Sequence, residues 1–145
     1  MFSSDEICQL IPHAGAMCLI DFVEKWDKDS ILCTTQTHQK QDNPLLSNGI
    51  LHTSALIEYG AQAMAVHGAL IAKESKEKMQ KGYLAALRGI DFYQNAEINS
   101  VTSPLVIEAT RRLASHGNMI YDFLITSEGE NLISGRATVV AIFND

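Results

Sequence analysis

GILHTSALIEYGAQAMAVHGALIA, residues 49–72, is the stretch that decides the architecture of this chain. It is apolar, rich in alanine and leucine and free of proline, a composition that favours helix. At Ala55, Gly60, Ala61, Ala63, Ala65 and Gly68 the side chains are small enough for another backbone to come close. A surface helix carries one apolar stripe and one charged face. Here both faces are mostly apolar, so the helix is expected to be wrapped by protein on nearly all sides. His52, Ser54, Glu58, Gln62 and His67 are too few to make a solvated face. Glu58 and Gln62 stand four apart and share a face. An acidic side chain is rarely buried without a partner or a purpose, which makes Glu58 the first residue to explain.

The run approaches the roughly 20 apolar residues that span a bilayer. A carboxylate near the middle of such a span costs about 2.5–3.5 kcal/mol, however. The segments that follow also alternate like strands rather than supplying a second span. The run is therefore read as a buried helix, with no membrane partner. The length of 145 residues fits one domain, residues 1–145, able to build a core without metal or disulfide staples. With 46% hydrophobic and 19% charged residues the chain is globular rather than disordered. A net charge of −6 and the lack of a basic cluster argue against nucleic acid. Cys8, Cys18 and Cys33 show no CxxC and no metal-ligand spacing, and each lies among apolar residues. They are expected to be small buried hydrophobes with reduced thiols. MFSSDEICQL lacks the basic start and apolar core of a secretory signal. Cytoplasmic localisation is the resulting expectation.

Outward from the central helix, the N-terminal half opens with Ser3 and Glu6 at capping-box spacing, a short helix that Pro12 stops. Met17–Trp26 reads as a strand, Asp27–Ser30 as a turn, and Ile31–His38 as a second strand in a hairpin with the first. Residues 39–48 form a polar loop containing Pro44. Beyond the helix, Lys73–Lys78 is a solvated run of mixed charge. Four strands follow. Tyr83–Tyr93 sets Leu84, Ala86, Ile90 and Phe92 on one face, and Leu105–Leu113 sets Leu105, Ile107 and Ala109 opposite Glu108, Thr110 and Arg112. Asn118–Thr126 groups Met119, Tyr121, Phe123 and Ile125, and Leu132–Phe143 is longer, passing through Gly135. His116-Gly117-Asn118 and Glu128–Asn131 are hairpin turns. One helix can be enclosed by a single sheet only if the sheet bends round it. The expected fold is α+β, a curved antiparallel sheet wrapped around one long central helix, which is a hot-dog architecture. Such a sheet leaves open edges that a second copy can cover, so a dimer is expected.

Three motifs carry a family resemblance. LIPHAGAMCLID, residues 10–21, looks like the N-terminal motif of hot-dog 3-hydroxyacyl-[acyl-carrier-protein] dehydratases. Ile57–Gln62 looks like their central-helix signature, an acidic residue followed four positions later by Gln. With DNPLL, residues 42–46, the set is similar to the dehydratase-like branch found in aryl polyene pigment clusters. The resemblance spans most of the chain. One departure stands out. The better-studied dehydratases carry a catalytic His in a Gly-His-Phe-Pro-Gly loop before the helix, and the corresponding position here is Pro44.

The resemblance implies dehydration of a 3-hydroxyacyl-ACP thioester to the trans-2-enoyl thioester. That reaction needs a base for the proton beside the carbonyl and an acid for the departing hydroxyl. A histidine near neutral pKa suits the first task, and a carboxylic acid in a buried setting suits the second. Glu58 is the expected acid. For the base His38 and His13 are the candidates, His38 because it ends the strand before the loop, His13 because it sits in a matching motif. Backbone N–H groups of Gly49–Thr53, at the helix N-terminus, would stabilise the developing enolate. Gly49, Gln62 and Asn43 are the residues expected to meet substrate, although Gln62 fits helix packing equally well. Arg88, Arg111, Arg112 and Arg136 would receive phosphopantetheine or an acidic carrier, or stand as solvated strand-face side chains. No cofactor and no metal are implied, because the substrate arrives on the phosphopantetheine of an acyl carrier protein. The implied partners are that carrier and a second hot-dog subunit, in a homodimer or heterodimer. Two other functions fit the same fold: a non-catalytic acyl-binding partner of an active dehydratase, and a thioesterase in which Glu58 activates water.

Overall fold

The computed structural model describes residues 2–11, 18–94 and 97–144. Pro12–Met17 lie outside the described residues, and with them His13 and the expected start of the first strand at Met17. Helix α1, Ser4–Leu10, begins where the capping-box spacing predicts, with the Glu6 carboxylate accepting from the Ser3 N–H at 3.3 Å and its hydroxyl at 3.1 Å. Cys8 on α1 and Cys18 are joined as a disulfide, their Cα atoms 5.8 Å apart, within the ordinary span of such a bridge. The expectation of three reduced thiols therefore holds for Cys33 alone, which is free and buried. Spacing along the chain could not reveal a pairing made by folding α1 back on Cys18.

Strands β1, Phe22–Trp26, and β2, Ser30–Thr35, form the expected hairpin, closed by Asp27, whose carboxylate accepts the N–H groups of Asp29 and Ser30. The second strand stops short of its expected end: residues Thr37–Gln39 turn into a 3-10 coil that carries His38. The central helix also starts later than its composition suggests. Ser47 and Ile50 exchange backbone hydrogen bonds around Asn48 and Gly49, both at positive φ, a tight two-residue turn of the kind Asn-Gly favours. A 3-10 turn at Thr53–Ala55 follows, and only then α2, Leu56–Glu74.

Helix α2 packs on β2, β3 (Lys78–Phe92), β4 (Leu105–Ser115), β5 (Asn118–Ser127) and β6 (Glu130–Asn144). It is buried on almost every side, from Leu56 and Tyr59 through Met64 and His67 to Leu70 and Ala72. The sheet runs β1-β2-β4-β5-β6-β3, antiparallel throughout, so the fold is the expected α+β hot-dog. The alternation read in β4 and β5 is observed: Leu105, Ile107, Ala109, Met119, Tyr121, Phe123 and Ile125 line the core. Close approach of helix and sheet is tightest at Gly60, which faces Phe123. A Cβ on Gly60 would lie 3.0 Å from the Phe123 ring, and within the sheet one on Gly135 would meet the end of the Ile90 side chain.

β3 departs from its predicted face. It begins at Lys78, inside the charge run, and register shifts between Leu84 and Ala86 and between Arg88 and Asp91 break the period of two. Leu84 and Ile90 pack on the core, whereas Ala86 is exposed and Phe92 is 53% exposed. The two ends of the sheet order, β1 and β3, have no strand partner on their outer sides among the described residues.

Candidate active site

The candidate groups gather around the first two turns of α2. Glu58 is half-buried, on the turn that also presents Tyr59 and Gln62. Tyr59 is fully buried and points toward the end of β2: its hydroxyl lies 2.9 Å from Thr37 Oγ1 and 2.9 Å from Asn43 Nδ2. Gln62, one turn on, is also buried, and its Oε1 accepts the Leu19 N–H at 2.8 Å. The Gln62 side chain thereby fastens the residues that follow Cys18 to the helix. It does the packing that its position equally allowed.

His38 is fully buried, in the 3-10 coil that Thr37 opens. Its Nε2 is 2.9 Å from the Val101 carbonyl, which can only accept, so Nε2 carries the hydrogen and the lone pair of the neutral ring is on Nδ1. The Ser103 backbone lies near the ring, yet Nδ1 is buried with no hydrogen-bond partner among the described residues. Burial draws the pKa of His38 below its ordinary 6.5, against the opposing pull of the Val101 and Ser103 backbone and of the Asp21 carboxylate. Burial thus favours the neutral ring of His38, with Nε2 fixed and Nδ1 without a partner among the described residues. Tyr59, the residue after Glu58, bonds Thr37, the residue before His38, so the segments that carry Glu58 and His38 are joined at the N-terminal end of α2. His13 lies outside the described residues.

Asn43 spends both amide hydrogens within the protein, donating to Tyr59 and to the Thr37 carbonyl, and its Oδ1 accepts the Leu45 N–H. Gly49 sits in the Asn-Gly turn, its carbonyl accepting from Asn99 Nδ2 at 3.0 Å, and the helical N-terminus begins four residues later at Thr53. The donors expected from Gly49–Thr53 are therefore displaced toward Thr53–Leu56. The Asn48-Gly49 pair was the signal that could have placed that turn. Two of the arginines are accounted for on the exposed strand faces. Arg112 and Arg136 both grip Asp122, each at 2.8 Å, and the Arg136 hydrogen bond is the main cause holding the Asp122 carboxyl below its usual range.

His67 is a fully buried core residue. Its Nε2 lies 2.7 Å from the Asp27 carbonyl and its Nδ1 2.6 Å from the Tyr121 hydroxyl, with Trp26 edge-on. His52 and His116 are exposed. A cavity of about 370 Å³ lies between α1 and the C-terminal half of α2, against Phe2, Leu10, Ala69 and Lys73. Among the described residues that line it there is no histidine, and Glu58 is not one of them. Among the described residues no helix is long and apolar enough to cross a membrane, and no group of His, Cys, Asp and Glu is placed to hold a metal ion.

A family profile described as ApeP-like, ApeP dehydratase, matches residues 5–144. No curated protein sequence matches the chain. Among solved structures, the dehydratase heterocomplex ApeI:P from Xenorhabdus doucetiae superposes with a TM-score of 0.85 at 24% identity, covering 98% of this chain and 92% of that one. A thioesterase from Haemophilus influenzae gives 0.66 at 14% identity, with 98% and 92% covered. The Escherichia coli PaaI protein of the phenylacetic acid degradation operon gives 0.63 at 14% identity, with 94% and 88% covered. These likenesses concern the fold.

Proposed function

The chain belongs to the ApeP-like dehydratase family, matched over residues 5–144, and we propose that it dehydrates a 3-hydroxyacyl thioester carried by an acyl carrier protein. His38 removes the proton beside the thioester carbonyl through Nδ1. Glu58, as the acid, gives a proton to the β-hydroxyl, which leaves as water while the carbon–carbon double bond forms. The helical N-terminus at Thr53–Leu56 directs its positive end toward the thioester oxygen as enolate charge develops. The observation that carries this reading is the state of His38: a neutral ring whose Nε2 is committed to Val101, leaving a buried lone pair on Nδ1. A purely structural core histidine would use both nitrogens, as His67 does.

The same proposal includes a dimer, of two copies or with a second hot-dog subunit, built on the open edge of β3. A single small domain of this kind does not close a long acyl pocket alone. Cytoplasmic localisation and the absence of a bound cofactor belong to the proposal as well, since the carrier supplies the phosphopantetheine. The test is turnover of a 3-hydroxyacyl-ACP by purified protein, with its mass followed by sedimentation across a concentration range. Formation of the enoyl thioester by a dimer supports the reading. An inert monomer, alone and with a second dehydratase subunit, contradicts it.

One observation favours a second reading. The loop position where better-studied dehydratases carry histidine is Pro44, and neighbouring Asn43 is spent on internal hydrogen bonds. On that reading the chain is the acyl-binding partner of an active subunit. It predicts turnover only in the mixed dimer, unchanged by His38→Ala.

A further inference from the structure

We infer that Tyr59 is a positioning residue for the reaction, its hydroxyl clamping the coil that carries His38 to the helix that carries Glu58. The inference rests on the reading of Glu58 and His38 as acid and base given above. The direction of the hydrogen bonds makes the clamp specific. Asn43 Oδ1 accepts the Leu45 N–H at 2.9 Å, so its Nδ2 faces the other way and donates to the Thr37 carbonyl at 3.0 Å and to Tyr59 at 2.9 Å. An amide nitrogen cannot accept, so the Tyr59 hydrogen goes to Thr37 Oγ1 at 2.9 Å. Thr37 in turn donates to the Leu19 carbonyl at 2.7 Å. The chain runs one way, from loop to helix to coil to the residues that follow Cys18.

Every side chain in this relay is buried, at 0% exposure for Tyr59, 4% for Thr37 and 6% for Asn43. A phenylalanine would fill the same space without requiring partners for a buried hydroxyl. The hydroxyl therefore serves the connection itself. His38 follows Thr37 directly, so the Tyr59–Thr37 bond fixes its backbone, while the Val101 carbonyl fixes its ring. With both held, Nδ1 has one position relative to α2. Tyr59 is the next residue after Glu58, so acid and base are referred to the same helical turn.

The test is Tyr59→Phe, assayed on a 3-hydroxyacyl-ACP beside Glu58→Gln and His38→Ala. The expected result is a folded protein whose kcat falls about 10²-fold, as misplacement of a reacting group by around an ångström does. KM should stay within about twofold, since ground-state binding is not the term lost. The acidic limb of the kcat/KM profile should move up toward the ordinary histidine value as the coil loosens. Unchanged kcat and an unchanged profile in Tyr59→Phe, with Glu58→Gln and His38→Ala both inactive, overturn the positioning role and leave the acid–base reading standing. If Glu58→Gln and His38→Ala keep their turnover, that reading falls and the positioning role falls with it. Should Tyr59→Phe fail to fold, Thr37→Val breaks the same link from its other end. Thr37→Ser, which keeps the hydroxyl, should then recover most of the kcat that Thr37→Val loses, and equal losses in the two variants overturn the inference.

Discussion

Gln62 and Leu19, 43 residues apart, are joined by a buried hydrogen bond of 2.8 Å from the Leu19 backbone to the Gln62 amide oxygen. The helix thus satisfies the backbone donor of a residue that lies outside the described strands. Replacing Gln62 with Leu keeps the volume and strands the Leu19 N–H away from water. Leaving such a group unpaired costs about 1–3 kcal/mol. Urea unfolding should show the midpoint falling by that free energy with little change in slope. An unaltered midpoint would mean that Leu19 finds another acceptor.

Two hairpin glycines separate steric from conformational effects. Gly117, at φ +83°, would place a Cβ 2.6 Å from the Ala141 carbonyl oxygen, whereas Gly129, at φ +79°, would meet nothing within 4 Å. Alanine at either position adopts an unfavourable φ, which costs more than about 1 kcal/mol. Gly117→Ala adds a backbone collision at the β5–β6 pairing and should lower the melting temperature by clearly more than Gly129→Ala. Equal shifts would remove the collision from the account.

Acid should weaken the fold through buried histidine. Burial holds His67 below its ordinary 6.5, Arg111 pushes the same way, and the Asp27 carbonyl opposes. Between that depressed value and 6.5 the unfolded chain binds a proton that the folded chain refuses, so stability rises with pH across the window and falls as pH drops through it. His38 is shifted in the same direction and adds to the slope. Urea unfolding from about pH 7.5 to about pH 5 should show the loss setting in near the unfolded histidine value. His67→Gln does not titrate and should flatten part of that slope. An unchanged slope in the variant would assign the acid sensitivity elsewhere.

The parts of this fold that were legible beforehand are those written in local pattern. The apolar, small-residue run predicted a wrapped helix, and the alternation in β4 and β5 named the core residues that are observed. The limits came from features that pattern does not encode. Bulges in β3 turn Ala86 and Phe92 away from the face that strict alternation assigns them. Asn48-Gly49 makes a tight turn that postpones the helix to Thr53, and a composition averaged over the run conceals it. The Cys8–Cys18 pairing needs the chain to fold back. At the site, Glu58 was visible as a lone carboxylate in an apolar helix. The role of Tyr59 was not, because a buried tyrosine in such a helix reads as core until its hydroxyl partners are known.

The base is decided by comparing His38→Ala with His13→Ala, each checked for folding. Removing a general base costs about 10²–10⁴ in rate, and removing a lining residue costs less. The larger loss is expected in His38→Ala. A large loss in His13→Ala with His38→Ala near wild type would move the assignment to His13.

Whether Glu58 is the acid of a dehydratase site on α2 is decided by the turnover of a 3-hydroxyacyl-ACP in wild type and in Glu58→Gln. Glutamine matches the shape of glutamate and cannot supply the proton. The variant should fold and assemble as wild type does while formation of the trans-2-enoyl thioester falls by at least about 10²-fold. Turnover in Glu58→Gln equal to that of wild type would contradict that role, leaving Glu58 a structural carboxylate.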